Sequence, residues 1–316
     1  MASDAYALNP DMLVGGQAVL EGVMMRSARG YAVAVRRPDG TLAFDRDEVK
    51  APSAKFRPLK WPILRGSTIL IQSLLLGFRA LAFAAHHSVP ESSRPKGSAD
   101  RASRAAIAAS LAVAVLFGLG LFLFLPLLLT NLVKARFSPG LGTLGFNAVD
   151  GGIRVLFFFG YLAAISKLSD IRRVFEYHGA EHKVVYTFEA GEDLTVENAS
   201  RKSRLHPRCG TSFLLFVLAI SIVVFSFIPS TAPFLVKLAS RIVFIPLIAG
   251  LAYETIRFSS KHVDSPVFRF LITPGLWLQR ITTREPSADQ IEVAIAALRE
   301  ALTFDLASAT PQAAVL

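Results

Sequence analysis

Long apolar runs separated by shorter basic segments make up most of the chain. Four runs come close to the roughly 20 apolar residues that a helix needs to cross about 30 Å of hydrocarbon. They lie near residues 106–132, 149–168, 211–229 and 234–254. Pro126, inside the first run, is tolerated in a membrane helix and can kink it. The pattern therefore predicts an α-helical multi-pass membrane protein with about four transmembrane helices.

A fifth apolar run, at 62–85, has a different character. It contains Arg65, Gln72 and Arg79, and basic residues flank it on both sides. Charges within the run and on both flanks disfavour a simple crossing of the bilayer. This run is therefore predicted to form a re-entrant or interfacial helix.

The N-terminal region follows the two-residue period of a strand. The segments YAVAVRR and TLAFDRDEV place alternating apolar residues on either side of the turn Pro38-Asp39-Gly40. Such alternation around a Pro-Asp-Gly turn is typical of a β-hairpin. A small N-terminal β-hairpin or meander is therefore expected before the first apolar helix.

The residues after 286 predict a short amphipathic helix. The segment Pro286-Ser287-Ala288-Asp289 provides a helix start, and Ile291, Ile295, Leu298 and Leu302 then recur at helical spacing. We expect this apolar face to pack against the protein's own soluble part. Docking of a separate protein partner is the alternative.

These patterns divide the chain into seven segments. They are an N-terminal cytoplasmic β-rich segment at 1–60, the re-entrant or interfacial helix at 61–87, a polar linker at 88–104, transmembrane helices 1 and 2 at 105–168, a cytoplasmic His/Cys loop at 169–210, transmembrane helices 3 and 4 at 211–254, and a cytoplasmic C-terminal segment at 255–316.

Composition agrees with a membrane protein, and the distribution of charge orients it. The 316 residues are 52% hydrophobic and 18% charged, and the mean hydropathy is +0.45, too apolar for an ordinary soluble domain. The Lys and Arg residues that give the net charge of +10 are spread around the apolar runs. The lipid bilayer and not nucleic acid is therefore the expected partner. Residues 1–104 carry 15 Lys and Arg and residues 167–210 carry 8, against two each in 133–148 and 229–241. Both termini are therefore predicted to be cytoplasmic.

A His-x-x-Glu-His motif occurs in the segment YHGAEHK, as His178, Glu181 and His182. Residues i and i+4 of a helix share one face, so two imidazoles placed there can bind one metal ion. This order of residues is that of the inverted zincins, in which the Glu activates a metal-bound water. The two histidines are therefore candidate zinc ligands and Glu181 is a candidate general base. A pair of solvated loop histidines is the alternative.

The same loop ends in HPRCGT, which contains His206 and the chain's single cysteine, Cys209. A His and a Cys three residues apart form a common zinc half-site, so His178, His182, His206 and Cys209 could complete a tetrahedron. A closed tetrahedron is structural, whereas a catalytic site keeps a position for water. Two other interpretations of Cys209 stay open: a nucleophile activated by a histidine, or a small buried residue. An intramolecular disulfide is excluded.

The predicted topology brings one further carboxylate to the cytoplasmic face. Glu254 lies at the expected cytoplasmic end of the fourth apolar run. It is a candidate for the third metal ligand that inverted zincins take from a distant Glu. A simple ion pair with Arg257 is the alternative.

Near the N-terminus, the segment GGQAVLEGVMMR brackets three polar residues with glycines. It lacks the strand-to-helix context and the spacing of a phosphate loop. Gln17, Glu21 and Arg26 are candidates for lining a site. A structural ion pair between Glu21 and Arg26 is the slightly favoured alternative.

Six segments of the chain closely resemble those of the YqhQ family, bacterial multi-pass membrane proteins of unknown function with a suspected metal-dependent activity. The matching segments are GGQAVLEGVMMR, YHGAEHK, LTVENAS, HPRCGTSFL, the Tyr253-Glu254 pair and LWLQRITTREPSADQIEVAIAAL. The resemblance implies a bacterial cytoplasmic (inner) membrane protein, and it carries no substrate. The family's motif positions map onto His178, Glu181, His182, His206, Cys209 and Glu254.

Two functions of different classes are consistent with these residues. One is a zinc-dependent, membrane-embedded hydrolase with a cytoplasm-facing site. In it, His178 and His182 bind zinc together with Glu254 or His206, and Glu181 is the general base. The other is a non-catalytic scaffold or accessory protein for membrane-protein insertion or envelope assembly, with a structural zinc site and a protein partner. The number of protein ligands on the metal separates them, because three ligands leave a position for water and four do not.

Overall fold

The computed structural model describes Met12 and residues 14–49, 61–90, 99–260 and 265–309. Within these ranges a small β-sheet precedes a series of helices. The strands are β1 Gly15–Val19, β2 Gly22–Arg26, β3 Gly30–Arg36 and β4 Leu42–Glu48. The helices are α1 Leu64–His87, α2 Ala99–Leu119, α3 Leu125–Phe137, α4 Thr143–Ile165, α5 Ser169–Glu189, α6 Val196–Ser200, α7 Thr211–Ser226, α8 Phe234–Val243, α9 Ile245–Ser260, α10 Pro266–Thr282 and α11 Ala288–Ala309.

The expected N-terminal hairpin is confirmed and belongs to a larger sheet. The four strands are antiparallel in the order β1-β2-β3-β4, and the predicted Pro-Asp-Gly turn joins β3 to β4. Gly40 adopts a φ of 86° there, a conformation that glycine accepts without a steric cost. The Asp39 carboxylate also accepts a hydrogen bond from the backbone N–H of Thr41 at 2.9 Å, which stabilises the turn.

Both faces of the central strands are covered by helices. Because successive strand residues point to opposite faces, Met25 and Ala32 join one apolar cluster with α5 and α11, while Met24 and Val33 join a second with α1. This explains why β2 and β3 are buried along most of their length. The sheet is thus a layer between α1 and the α5–α11 pair.

The predicted amphipathic helix forms α11 and contacts the protein's own core. Ile291, Ile295, Leu298 and Leu302 are all buried and belong to the cluster that α11 makes with β2, β3 and α5. The helical spacing of these residues puts them on the one face that meets the sheet.

Several helices have the length and apolar composition needed to cross a membrane. In the described part of the chain, three pass by both criteria: α1, the continuous stretch Ala108–Phe137, and α4. The pair α8 and α9, bent by 43° at its break, makes a fourth if it counts as one span. Helix α7 has 16 residues, about 24 Å at 1.5 Å per residue, so the run predicted at 211–229 forms a shorter helix than a full crossing requires.

The first apolar run contains a local irregularity next to its proline. A π-helical turn, Gly120–Phe124, joins α2 to α3, and Pro126 lies at the start of α3. Proline lacks the N–H that would continue the helical ladder, and a π turn is one way for a helix to accommodate this. At its other end, α2 extends to Ala99 into the predicted linker; residues 91–98 of that linker lie outside the described residues.

Helix α1 connects the apolar helices to the sheet. Near its start, the Ser67 hydroxyl donates to the Pro246 carbonyl of α9 at 2.7 Å. Near its end, Ala80 and Ala84 pack against the sheet. It is one uninterrupted helix of 24 residues. Its interfacial or re-entrant placement in a bilayer stays a prediction.

Helix α4 begins earlier than its apolar run suggests and carries buried charges. It starts at Thr143, so Asp150 and Arg154 lie inside the helix and not at its flank. Asp150 Oδ2 lies 3.0 Å from both Arg154 Nε and an Arg241 guanidinium nitrogen of α8, although the Arg154 contact is not aligned as a hydrogen bond. Both guanidinium groups also face the ring of Phe225 in α7. This ion-pair cluster links α4, α7 and α8.

Candidate metal centre

Helix α5 carries the His-x-x-Glu-His motif as a regular helix. The rings of His178 and His182 lie 4.4 Å apart, as expected for positions i and i+4. Between them, Gly179 allows a close approach of the chain that follows α10: a Cβ at this position would lie 2.1 Å from the Arg284 carbonyl oxygen. The glycine therefore lets a distant segment reach the histidines.

Backbone carbonyl groups hold both imidazole rings. His178 Nδ1 lies 2.8 Å from the Thr282 carbonyl oxygen, and His182 Nδ1 lies 2.5 Å from the Arg204 carbonyl oxygen. A carbonyl can only accept, so each Nδ1 carries the proton and donates. Each Nε2 therefore keeps its lone pair, which is the tautomer that a metal-binding histidine uses.

The Nε2 atoms face the only cysteine. His178 Nε2 lies 3.2 Å from Cys209 Sγ, and one ligand atom from each of His178, His182 and Cys209 lies within 4.8 Å of the other two. His182 Nε2 is buried and has no hydrogen-bond partner among the described residues. A buried acceptor without a partner is costly, so this atom is suited to a ligand. The structure thus assembles three of the predicted metal ligands.

Glu181 lies beside the three residues. One of its carboxylate oxygens accepts the backbone N–H of Gly16 at 2.8 Å, which fixes the carboxylate against β1. The other oxygen lies 4.0 Å from His178 Nε2. The general-base candidate is therefore adjacent to the candidate ligands and is held by a strand far away in the sequence.

Burial sets the protonation of these groups. It lowers the pKa of His178, and it lowers that of His182 well below the ordinary value, so both rings are neutral at pH 7. Burial raises the pKa of Glu181 to about 7. Burial and the neighbouring Glu181 raise the pKa of the Cys209 thiol to about 12. This opposes the hypothesis that a histidine activates Cys209 as a nucleophile, since an unliganded Cys209 stays a thiol at neutral pH.

His206 lies near the group but is turned away from it. Its Nδ1 accepts the backbone N–H of Arg208 at 3.3 Å, and its Nε2 lies 3.2 Å from a Glu189 carboxylate oxygen. The Gln279 side chain holds the His206 backbone through two hydrogen bonds of 2.7 and 2.8 Å. With both ring nitrogens engaged, His206 is not a member of the three-residue group.

Glu254 is also placed elsewhere. Its carboxylate receives two hydrogen bonds from the Arg65 guanidinium, at 2.6 and 2.5 Å. The structure therefore does not bring Glu254 to the histidines, because a cation of α1 holds both of its oxygens.

The three polar residues of the N-terminal motif do not form one common site. Glu21, at the turn between β1 and β2, pairs with Arg173 of α5 through two hydrogen bonds of 2.5 Å. Arg26 lies opposite Gly15 in the strand register, at the other end of that hairpin. It is five residues from Glu21, which is about 17 Å along an extended strand. The favoured Glu21–Arg26 ion pair was therefore wrong. Gln17 and Arg26 line a common pocket.

Several groups around the centre carry no recognisable signal in the sequence. The backbone oxygens of Thr282 and Arg204 and the side chain of Gln279 orient the histidines from outside the motif. Thr282 lies 104 residues after His178, so no local spacing could connect them. Asp150 and Arg154 did carry a signal, their i, i+4 spacing within an apolar run.

Fold and site together define the class: a mostly helical chain with several apolar helices compatible with a membrane protein, a small N-terminal antiparallel sheet and a buried His/His/Cys grouping. The chain belongs to the family described as "Protein of unknown function (DUF1385)", whose model matches residues 61–304. It is 34% identical over 301 residues to "Uncharacterized protein YqhQ" of Bacillus subtilis (strain 168), covering 93% of each chain. The expected family is thereby confirmed. No solved structure matches the chain.

Proposed function

We propose that this protein is a metal-dependent hydrolase of the membrane, with zinc held by His178, His182 and Cys209. The observation that carries the proposal is the buried Nε2 of His182, which has no partner among the described residues, in a residue that offers a ligand atom within 4.8 Å of those of His178 and Cys209. Two neutral imidazoles and a thiol that a metal ion would deprotonate form a donor set that zinc prefers.

The residues around this donor set fit a catalytic site better than a closed structural one. Zinc bound there would supply a Lewis acid and a water of lowered pKa. Three protein ligands leave a coordination position free, since His206 and Glu254 are engaged elsewhere. Glu181, held by Gly16, has a pKa raised by burial to about 7, which suits a general base at neutral pH.

We further propose that the site faces the cytoplasm of a bacterial inner membrane and that both termini are cytoplasmic. The excess of Lys and Arg in 1–104 and 167–210 supports this orientation. Helix α1 contacts the sheet through Ala80 and Ala84, on the face opposite to the one that packs against α5 and α11. This contact favours an interfacial helix over a complete crossing.

Metal analysis of the purified protein tests the proposal. The wild type should retain stoichiometric zinc, and His182→Ala should lose it because two remaining ligands bind zinc weakly. His86→Ala is the matched control, since His86 is exposed at the end of α1 and should leave the zinc content unchanged. A wild-type protein without stoichiometric metal would contradict the proposal.

The coordination number separates the hydrolase from the scaffold. X-ray absorption at the zinc edge should show one sulfur, two imidazole nitrogens and one oxygen from water. A fourth protein ligand, such as His206, with no water would instead support the non-catalytic scaffold with a structural zinc site.

A further inference from the structure

A pocket of about 580 Å³ opens next to the candidate metal centre. Its walls come from β1, β2, α1, α9 and the segment before α7. The residues that matter for its chemistry are Gly16, Gln17, Arg26, Ser73, Arg208 and Tyr253. A volume of this size is in the range of small-molecule sites, which is about 300–1,000 Å³.

The pocket shares a wall with the centre. Gly16 lines the pocket and also donates its backbone N–H to Glu181. A Cβ at Gly16 would lie 3.1 Å from Glu181 Cγ, so only this thin stretch of β1 separates the pocket from the carboxylate. Arg208, which also lines the pocket, directly precedes Cys209. A molecule in the pocket would therefore lie next to the candidate catalytic groups.

The charge of the pocket selects for anions. Among the residues that the structure describes, its lining contains two guanidinium groups, Arg26 and Arg208, and no carboxylate. Arg208 pairs with Glu189 at 2.5 Å. Arg26 is half-buried, and its side chain makes no hydrogen bond or ion pair with any residue that the structure describes. A guanidinium without a partner in the described part of the chain, in a lining that also holds Ser73 and Tyr253, suits the oxygens of a phosphate.

Helix α1 forms one side of the pocket and has an apolar outer face. Leu76 and Ser73 face the pocket, whereas Ile71, Leu74 and Leu75 of the same helix are exposed. Gln17 packs directly on Gly77, where a Cβ would lie 2.6 Å from Gln17 Oε1. The pocket is thus bounded by a helix whose outer face suits lipid. An amphiphile with a charged head and an apolar tail matches the basic lining of the pocket and the apolar outer face of α1.

We propose that this pocket binds the phosphate group of an amphiphilic substrate, with Arg26 as its principal contact. The proposal rests on the proposed function, because it names the substrate class of the same centre. A phosphate in the pocket places the adjoining part of the substrate against Gly16 and hence beside Glu181. The ligand chemistry is shared by a lipid headgroup and by free phosphate, and the binding experiment distinguishes the two.

Calorimetric titration of the full-length protein in maltoside micelles tests this. The probes are dihexanoyl phosphatidic acid, inorganic phosphate and dihexanoylglycerol, which lacks the phosphate. The wild type should bind the phosphatidic acid, and Arg26→Gln should weaken that binding by about tenfold or more. Arg26→Lys should weaken it less, because the charge remains and the planar fork is lost. Inorganic phosphate that binds as tightly as the lipid would assign the site to free phosphate.

Arg29→Gln is the matched control. Arg29 is exposed three residues from Arg26 and is not part of the pocket lining, so this variant loses the same charge and should bind like the wild type. Equal affinities of Arg26→Gln and Arg29→Gln, or equal affinity for dihexanoylglycerol, would overturn the proposal.

Metal content is measured on the same samples. His182→Ala should lose zinc and still bind the phosphatidic acid, whereas Arg26→Gln should keep zinc. Arg26-dependent binding by a protein that holds no metal would refute the hydrolase alone. Stoichiometric zinc without Arg26-dependent binding would refute the phosphate pocket alone.

Discussion

At the scale of single residues, the neighbours of each side chain decide its chemistry. His178, His182 and His206 are the same amino acid within one small region, yet only the first two belong to the group that includes Cys209. Carbonyl oxygens hold their Nδ1 atoms as donors, whereas His206 uses both ring nitrogens for Glu189 and Arg208. A candidate metal ligand is therefore distinguished here by what its ring nitrogens contact.

At the same scale, the buried Glu181 should make the stability of the metal-free protein depend on pH. Its pKa is raised by burial from an ordinary 4.5 to about 7, so the folded state holds the proton more tightly than the unfolded state does. Between pH 4.5 and 7 the unfolded chain ionises first, and the stability of the metal-free protein falls. Relative to Glu181→Gln, the loss should be on the order of 3 kcal/mol, and it should be constant above that window.

Unfolding of both proteins after chelator treatment, followed across pH 4 to 8 in detergent, measures this difference. The neutral histidines affect both variants alike and cancel in the comparison. If the stability curves of wild type and Glu181→Gln stay parallel across this pH range, the pKa of Glu181 is not raised in the folded state.

At the scale of secondary-structure elements, the site depends on how closely α5 meets the segment after α10. The Arg284 backbone N–H donates to the Phe175 carbonyl of α5 at 2.8 Å, and Gly179 leaves the space for this contact. The same segment supplies the Thr282 oxygen that orients His178. In the proposed zinc site, helix packing and metal binding would therefore be coupled through one glycine.

Gly179→Ala tests this coupling. The added methyl group would collide with the Arg284 carbonyl and displace the segment from α5. His178 would then lose its orienting hydrogen bond, and zinc affinity should fall by about 10- to 100-fold. Competition with a chelator dye measures the affinity. Gly152→Ala is the control, because a Cβ there meets nothing within 4 Å; an equal, small effect of both substitutions would contradict the coupling.

At the scale of the whole molecule, charged groups also join the apolar helices. Asp150 is the carboxylate between two buried guanidinium groups, Arg154 and Arg241, which belong to α4 and α8. Buried arginines cannot release their protons, so this carboxylate compensates charge that would otherwise be uncompensated in an apolar region.

Asp150→Asn should therefore destabilise the helical part strongly. Removing one partner of a buried ion pair typically costs about 3–5 kcal/mol. Thermal unfolding in detergent should show a clear decrease in Tm for this variant. Arg136→Gln, at an exposed basic position near the end of α3, should leave the Tm nearly unchanged. An unchanged Tm in Asp150→Asn would mean that another group neutralises the two arginines.

Hydrophobic periodicity predicted several elements of this protein. It predicted the β3–β4 hairpin, the apolar helices and α11, because strand alternation and helical spacing are local properties of the chain. The spacing of His178, Glu181 and His182 is equally local. It places these three side chains near one another on α5 without any tertiary contact.

Long-range packing decided the rest. Cys209 joined the histidines while His206 and Glu254 did not, because Gln279 and Arg65 hold those two residues from distant parts of the chain. Glu21 found Arg173 instead of Arg26 for the same reason. A sequence pattern reports the neighbours of a residue along a helix or strand, whereas the partner of a charged side chain depends on which elements pack together, and that contact is made only in the folded molecule.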